Sequence, residues 1–342
     1  MRAALQSCAP GGAEQRARIE FARTPDRWDL ALHRYPSART DLPPVLLCPG
    51  YACNRNFIDF DERYSLARFL ARRGFEAWVL ELRGHGFSEP AGRRKRAGWT
   101  FDDLVEFDVP TAIAYVRERC GGRPLVWIGH SMGGMVAYGA LAHNPELQKS
   151  TAGLVTLASP VAFPRVASQA MRLLGRALLA LPYPGNLPQH KALVALWWML
   201  SRSPRAIEIG MNPENVDPDI VGRVLRASIC NVPRSMLHQL AQWSLSGRFQ
   251  SLDGSFDYRA GLARIAIPVF VTAGAVDRLA TAEMVRVAHA HASSSVKQFR
   301  EFGVASGDSA DYGHVDLILG RHAPEEVFPA ISTWIEDALI RH

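Results

Sequence analysis

Residues 125–139 read LVWIGHSMGGMVAYG: four apolar residues run into GHSMG and then into a stretch of small and apolar residues. Gly129, Ser131, Gly133 and Gly134 crowd the junction between what the pattern predicts as a buried strand and a buried helix. Glycine inside an element costs stability, so a cluster of them at such a junction marks a turn too tight for side chains. A strand, then GxSxG, then a helix holds a serine on a strained turn with its hydroxyl exposed above the sheet, and the flanking glycines let strand and helix approach. The pentapeptide alone recurs by chance. The strand, turn and helix around it make Ser131 the candidate nucleophile, against the alternative of a structural tight turn.

Outward from this stretch, short β-rich runs alternate with helical patterns, the signature of a parallel sheet with crossover helices. Eight strands are expected, at RIEFAR, WDLALHRY, PVLLCPG, FEAWVLEL, LVWIGHS, GLVTLAS, IPVFVTAG and VKQFREF. The first two have no helix between them and are expected to pair as an antiparallel start. Helices are expected in ERYSLARFLARRG, DDLVEFDVPTAIAYVRER, MGGMVAYGALAHN, ATAEMVRVAHAHA and APEEVFPAISTWIEDALIR, with Thr100 or Asp102 as an N-cap and Pro324 in a first turn. The alternation breaks once, over residues 160–255, where prolines punctuate apolar stretches of helical spacing. This segment reads as a helical cap inserted into a core made of 14–159 and 256–342, behind a disordered tail, 1–13.

At 342 residues the chain can bury a large core, and 48% hydrophobic with 21% charged residues is ordinary for a folded globular protein. The formal net charge of +6 raises an anionic partner, but the one dense basic run, Arg93, Arg94, Lys95 and Arg96, is explained by a solvated loop. No nucleic-acid partner is expected. Five cysteines without CxxC spacing, and no zinc pattern with the histidines, favour a reduced, cytoplasmic chain without a metal. The start lacks the apolar segment of a signal peptide, and the richest apolar run, KALVALWWML, is too short to span a membrane.

A serine hydroxyl is a poor nucleophile at neutral pH and needs a base, which in turn needs an orienting carboxylate. Among eleven histidines, His314 in SGDSADYGHVDLILG is best placed, in a polar loop after the last strand, where catalytic groups gather in open parallel sheets. Asp277 lies in the loop directly after IPVFVTAG and is the candidate acid, with an N-capping role as the alternative. Asp308, Asp311 and Asp316 share the loop or helix start of His314 and would have to fold back on it. An oxyanion needs donors; the backbone N–H of Met132 and, across the Gly50 turn in LLCPGYACNRNF, that of Tyr51 are expected to supply them. Cys48 reads as core filling.

With the order Ser131, Asp277, His314, the chain resembles the α/β-hydrolase fold superfamily over residues 14–340. The resemblance implies a mostly parallel eight-stranded sheet flanked by helices, with the cap inserted after the sixth strand, and no cofactor. LRGHGFSEP resembles the family's loop after the fourth strand, which makes His85 a loop-stabilising residue. The ending YGHVDLILG is similar to that of the acid lipase branch, as is the large cap. Two features depart from that branch: the turn before Tyr51 is Pro-Gly rather than His-Gly, and the secretion signal is absent. The resemblance implies a serine hydrolase of carboxylic esters with an apolar substrate. An acyltransferase or thioesterase using the same residues, and a non-catalytic binding protein of the same fold, are the alternatives. His130, Trp197 and Trp198 are the expected substrate-binding residues, and the apolar cap, with Leu173, Leu174, Leu178, Leu193 and Leu196, suits an acyl chain and peripheral membrane contact.

Overall fold

The computed structural model describes residues 17–92, 98–164, 190–191 and 207–339. The predicted tail 1–13 and the Trp197–Trp198 segment lie outside the described residues.

All eight expected strands form. In chain order the strands are β1 (Arg18–Arg23), β2 (Trp28–Tyr35), β3 (Val45–Cys48), β4 (Ala77–Leu80), β5 (Glu89–Pro90), β6 (Leu125–His130), β7 (Thr151–Leu157), β8 (Val269–Gly274) and β9 (Lys297–Phe302). They build one sheet in the order β1-β2-β4-β3-β6-β7-β8-β9, with β5 paired to β2 at the side. The β1–β2 start is antiparallel as expected, β2 is also antiparallel to β4, and the pairs from β4–β3 through β8–β9 are parallel. β5 is the strand that pattern reading misses: it is two residues long, and Pro90 has no N–H to give a ladder. The central runs VLLC, AWVL, LVWIGH and VFVTAG are buried at every position, as strands covered on both faces must be.

The covering helices are α1 (Leu66–Arg72), α2 (Phe101–Asp103), α3 (Val109–Arg119), α4 (Met132–His143), α5 (Pro218–Ser228), α6 (Arg234–Ser246), α7 (Ala282–His291), a short α8 (Asp316–Leu319) and α9 (Val327–Leu339). A π-helical stretch, Leu104–Asp108, joins α2 to α3. Thr100, not Asp102, caps α2, exchanging side-chain and backbone hydrogen bonds with Asp103 in a capping box. Asp102 turns instead to the β7–β8 connection and accepts from Gln239 Nε2 (2.5 Å), Tyr258 Oη (2.8 Å) and the Leu252 N–H (2.8 Å). Pro324 falls short of its expected place in a first turn. It lies in overlapping turns that run into α9 at Val327, the His322 carbonyl accepting from the Glu325 and Glu326 N–H groups and the Ala323 carbonyl from those of Val327 and Phe328.

Both α5 and α6 lie in the long connection from β7 to β8. Phe101 of α2 packs edge-on against Trp243 of α6, with ring centroids 4.9 Å apart, and against Phe249 and Tyr258, so an aromatic cluster welds this connection to the sheet's helical layer. A second small core, Ile207, Met211, Val216 and Val221, forms where the connection returns. Among the described residues no helix is long and apolar enough to cross a membrane.

Candidate active site

The parallel strands end on one side of the sheet, and the loops that leave their C-terminal ends bring the candidate residues together. Ser131 stands between β6 and α4 with φ 52° and ψ −120°, a conformation that costs a non-glycine residue backbone strain. Its N–H is held by the Leu157 carbonyl at the end of β7 (2.8 Å), and its own carbonyl accepts from Gly134 and Met135. The glycines around it are sterically required. A Cβ on Gly133 would overlap the Cys48 carbonyl and sit 2.6 Å from the Pro49 carbonyl oxygen; one on Gly134 would sit 2.8 Å from Ser159 Cβ.

Ser131 Oγ lies 2.9 Å from His314 Nε2, and His314 Nδ1 lies 2.8 Å from Asp277 Oδ2. An ionised carboxylate only accepts, so Nδ1 carries the proton and Nε2 offers its lone pair to the serine hydroxyl. Asp277 is buried, and its other oxygen accepts from the Leu279 and Ala280 N–H groups, each at 2.8 Å. These bonds aim the carboxylate, while Thr281 takes the N-cap position of α7. The competing aspartates are engaged elsewhere: Asp308 with Arg300 (2.6 Å) and the Gly303 N–H, Asp311 with the Val304 N–H, and Asp316 with the Gly313 and Asn212 N–H groups (2.9 and 2.8 Å). Burial pushes the Asp316 carboxyl up to about 7.

Met132 opens α4 directly after Ser131, where first-turn N–H groups have no intrahelical acceptor. Tyr51 sits in the turn closed by the Cys53 N–H on the Gly50 carbonyl. A Cβ on Gly50 would lie 3.1 Å from both Ser131 Cβ and His130 Nδ1, so glycine allows this turn to lean on the serine. Cys48 is buried at the end of β3, where burial holds its thiol well above the usual range, consistent with core filling. His85 is buried, with Nδ1 2.9 Å from the Arg83 carbonyl.

His130, which sequence reading groups with Trp197 and Trp198 at the substrate, is only 2% exposed, its ring packed against those of Phe57 and His314 at centroid distances of 4.8 and 4.9 Å. Little of it is left for a substrate to touch. Sequence reading also misses the returning segment that crosses the His314 loop: Gly210 accepts from the Val315 N–H (3.0 Å), Asn212 donates to Asp316, and Asn215 accepts from the Arg321 N–H (2.6 Å). Contacts between segments about a hundred residues apart leave no periodic signal in a single sequence. Among the described residues no group of three or more His, Cys, Asp or Glu side chains converges as metal ligands would.

A mostly parallel sheet with a serine on a strained strand-to-helix turn, met by a histidine and an aspartate from later loops, defines the α/β-hydrolase class of protein. A family model described as alpha/beta hydrolase fold matches residues 43–319, and the chain belongs to that family. It is 24% identical to Lipase member K of Mus musculus over 306 residues, covering 80% of this chain and 75% of that protein. It is 29% identical to the lysosomal acid lipase/cholesteryl ester hydrolase of Rattus norvegicus over 168 residues, 45% of this chain and 42% of that protein. Among solved structures, a thermophilic esterase from Thermogutta terrifontis superposes with a TM-score of 0.59 at 19% identity, covering 94% of this chain and all (100%) of that one.

Proposed function

We propose that this chain, a carboxylic ester hydrolase, cleaves esters of apolar acyl groups with Ser131 as nucleophile, His314 as base and Asp277 as the acid that orients it. The reading rests on one observation: the hydrogen-bonded line from Ser131 Oγ through His314 to Asp277, assembled from three separate loops. Ser131 Oγ attacks the ester carbonyl as His314 Nε2 takes its proton. The oxyanion of the tetrahedral intermediate is held by the Met132 and Tyr51 N–H groups. His314 then returns the proton to the leaving alcohol, leaving the acyl group on Ser131. Water, deprotonated by the same nitrogen, attacks the acyl-enzyme and releases the acid. Asp277 keeps Nδ1 protonated and stabilises the imidazolium.

An apolar acyl substrate is supported by the lipases among the relatives and by the apolar sequence of residues 173–200, part of the proposed cap, 160–255. Trp197 and Trp198 would line that substrate's path, and the cap would meet a lipid surface. The test is hydrolysis of p-nitrophenyl esters from short to long acyl chains by wild type and Ser131→Ala, with fluorophosphonate labelling alongside. Loss of turnover by about 10⁴-fold or more and loss of labelling in the variant are expected. A wild type that neither turns over any chain length nor labels would overturn the hydrolase reading.

A further inference from the structure

We propose that His130 is a positioning residue: its imidazole clamps the backbone carbonyl of His314 and so holds the His314 side chain on Ser131. The proposal rests on the reading of Ser131 and His314 given above.

His130 is the last residue of β6 and the immediate neighbour of Ser131. Its Nε2 lies 2.9 Å from the carbonyl oxygen of His314, and both ring nitrogens are buried. A carbonyl oxygen can only accept, so Nε2 must carry the hydrogen and Nδ1 must be the bare nitrogen. The surroundings of Nδ1 suit that tautomer. It has no hydrogen-bond partner, and the side it turns to Gly50 is close enough that a Cβ added there would come within 3.1 Å. A proton on Nδ1 would be buried with no acceptor. Burial, with His314 next to it, pushes the His130 imidazole down to about 3, so the ring stays neutral and its donor stays single across the working pH range.

The consequence is a closed ring of contacts. Ser131 Oγ meets His314 Nε2, the His314 carbonyl meets His130 Nε2, and the peptide bond from His130 to Ser131 completes the circuit. His314 itself lies between β9 and α8 in a loop outside any sheet ladder. The clamp references that loop to β6, the strand that carries the serine. A shift of the loop relative to β6 must therefore break one bond or stretch the other. Phe57 packs against the same imidazole, with ring centroids 4.8 Å apart. Because a misplacement on the order of 1 Å can cost about 100-fold in rate, a bond of this kind acts on kcat and leaves ground-state binding of the acyl chain untouched.

Wild type, His130→Phe, His130→Gln, His130→Asn and Ser131→Ala would be compared on one p-nitrophenyl ester, with fluorophosphonate labelling rates measured in parallel. Phenylalanine keeps the ring and loses the donor. Glutamine carries an N–H near the Nε2 position, and asparagine carries one that stops short of it. Expected for His130→Phe is a fall in kcat and in labelling rate of about 10- to 100-fold, KM within about twofold of wild type, and recovery of most of the rate in His130→Gln but not in His130→Asn. Wild-type kcat in His130→Phe overturns the clamp, as does a glutamine variant as slow as the phenylalanine one. Should His130→Phe not accumulate as folded protein, the remaining pair decides: equal rates in Gln and Asn overturn the proposal, and a fast Gln beside a slow Asn supports it. A dead Ser131→Ala beside a full-rate His130→Phe removes the clamp and leaves the nucleophile standing. Retained turnover in Ser131→Ala removes both.

Discussion

Replacing Gly133 with alanine tests whether the elbow is as close-fitted as its glycines indicate. The added Cβ would lie 2.6 Å from the Pro49 carbonyl oxygen and would overlap the Cys48 carbonyl. Carbon and carbonyl oxygen settle at about 3.3 Å or more, so α4 and the end of β3 must part by about 0.7 Å at the Pro49 contact and further at Cys48. Both obstacles are backbone, which has no rotamer to move away. On one side of the separation is Ser131, at the mouth of α4; on the other is the Gly50–Tyr51 turn proposed to hold the oxyanion. Opening that distance pulls the oxyanion donors off target, and the loss in kcat should be about 100-fold. The strain of overpacking should lower stability by about 1–3 kcal/mol. Gly210→Ala is the control, because its Cβ would meet only Leu279 Cδ1 at an ordinary 3.5 Å. The assay pairs kcat and KM on a p-nitrophenyl ester with urea denaturation. A Gly133→Ala enzyme with kcat within twofold of the control would refute the close-approach reasoning, whatever its stability.

Two further outcomes concern buried charge. Asp316 has a folded-state carboxyl raised by burial to about 7, against an ordinary value near 4 in the unfolded chain. Between those values the folded state holds a proton the unfolded state has released, so this group's stabilisation is complete below about pH 4 and lost as pH rises through 7, amounting to about 4 kcal/mol. Asp316→Asn cannot ionise and should therefore gain on wild type as urea melts move from pH 4.5 to pH 8; parallel pH profiles for the two would count against it. Arg83 is buried with Asp108 (2.7 Å) and Asp26 (2.9 Å) on its guanidinium, and burial pushes the Asp108 carboxyl up to about 6 even so. Arg83→Met strands Asp108 and should cost about 3–5 kcal/mol, while the double change with Asp108→Leu should restore most of it. A double variant no more stable than the single one would show that the pair does more than neutralise itself.

The strands, the elbow and the chain order of the proposed Ser131, Asp277 and His314 were legible in the sequence because each is encoded locally. Strands buried on both faces read as unbroken apolar runs such as VLLC and VFVTAG, and GHSMG sits between a strand and a helix that announce themselves by composition. The turn at Gly50 was legible for the same reason, since a glycine after an apolar strand marks where the backbone must bend. What only the tertiary structure decided are relations between residues far apart in the chain. Asp277 was favoured by its place after a strand, but the loss of Asp308, Asp311 and Asp316 as competitors follows from their bonds to Arg300, Val304 and Asn212. Thr100 rather than Asp102 caps α2 because Asp102 is drawn away by Gln239, Tyr258 and Leu252. His130 was expected at the substrate, and folding buried it against a carbonyl 184 positions further on. Local periodicity specifies which segments become strands and helices, whereas the partner of a buried polar atom is set by the packing of whole elements, and that packing is not written in any one of them.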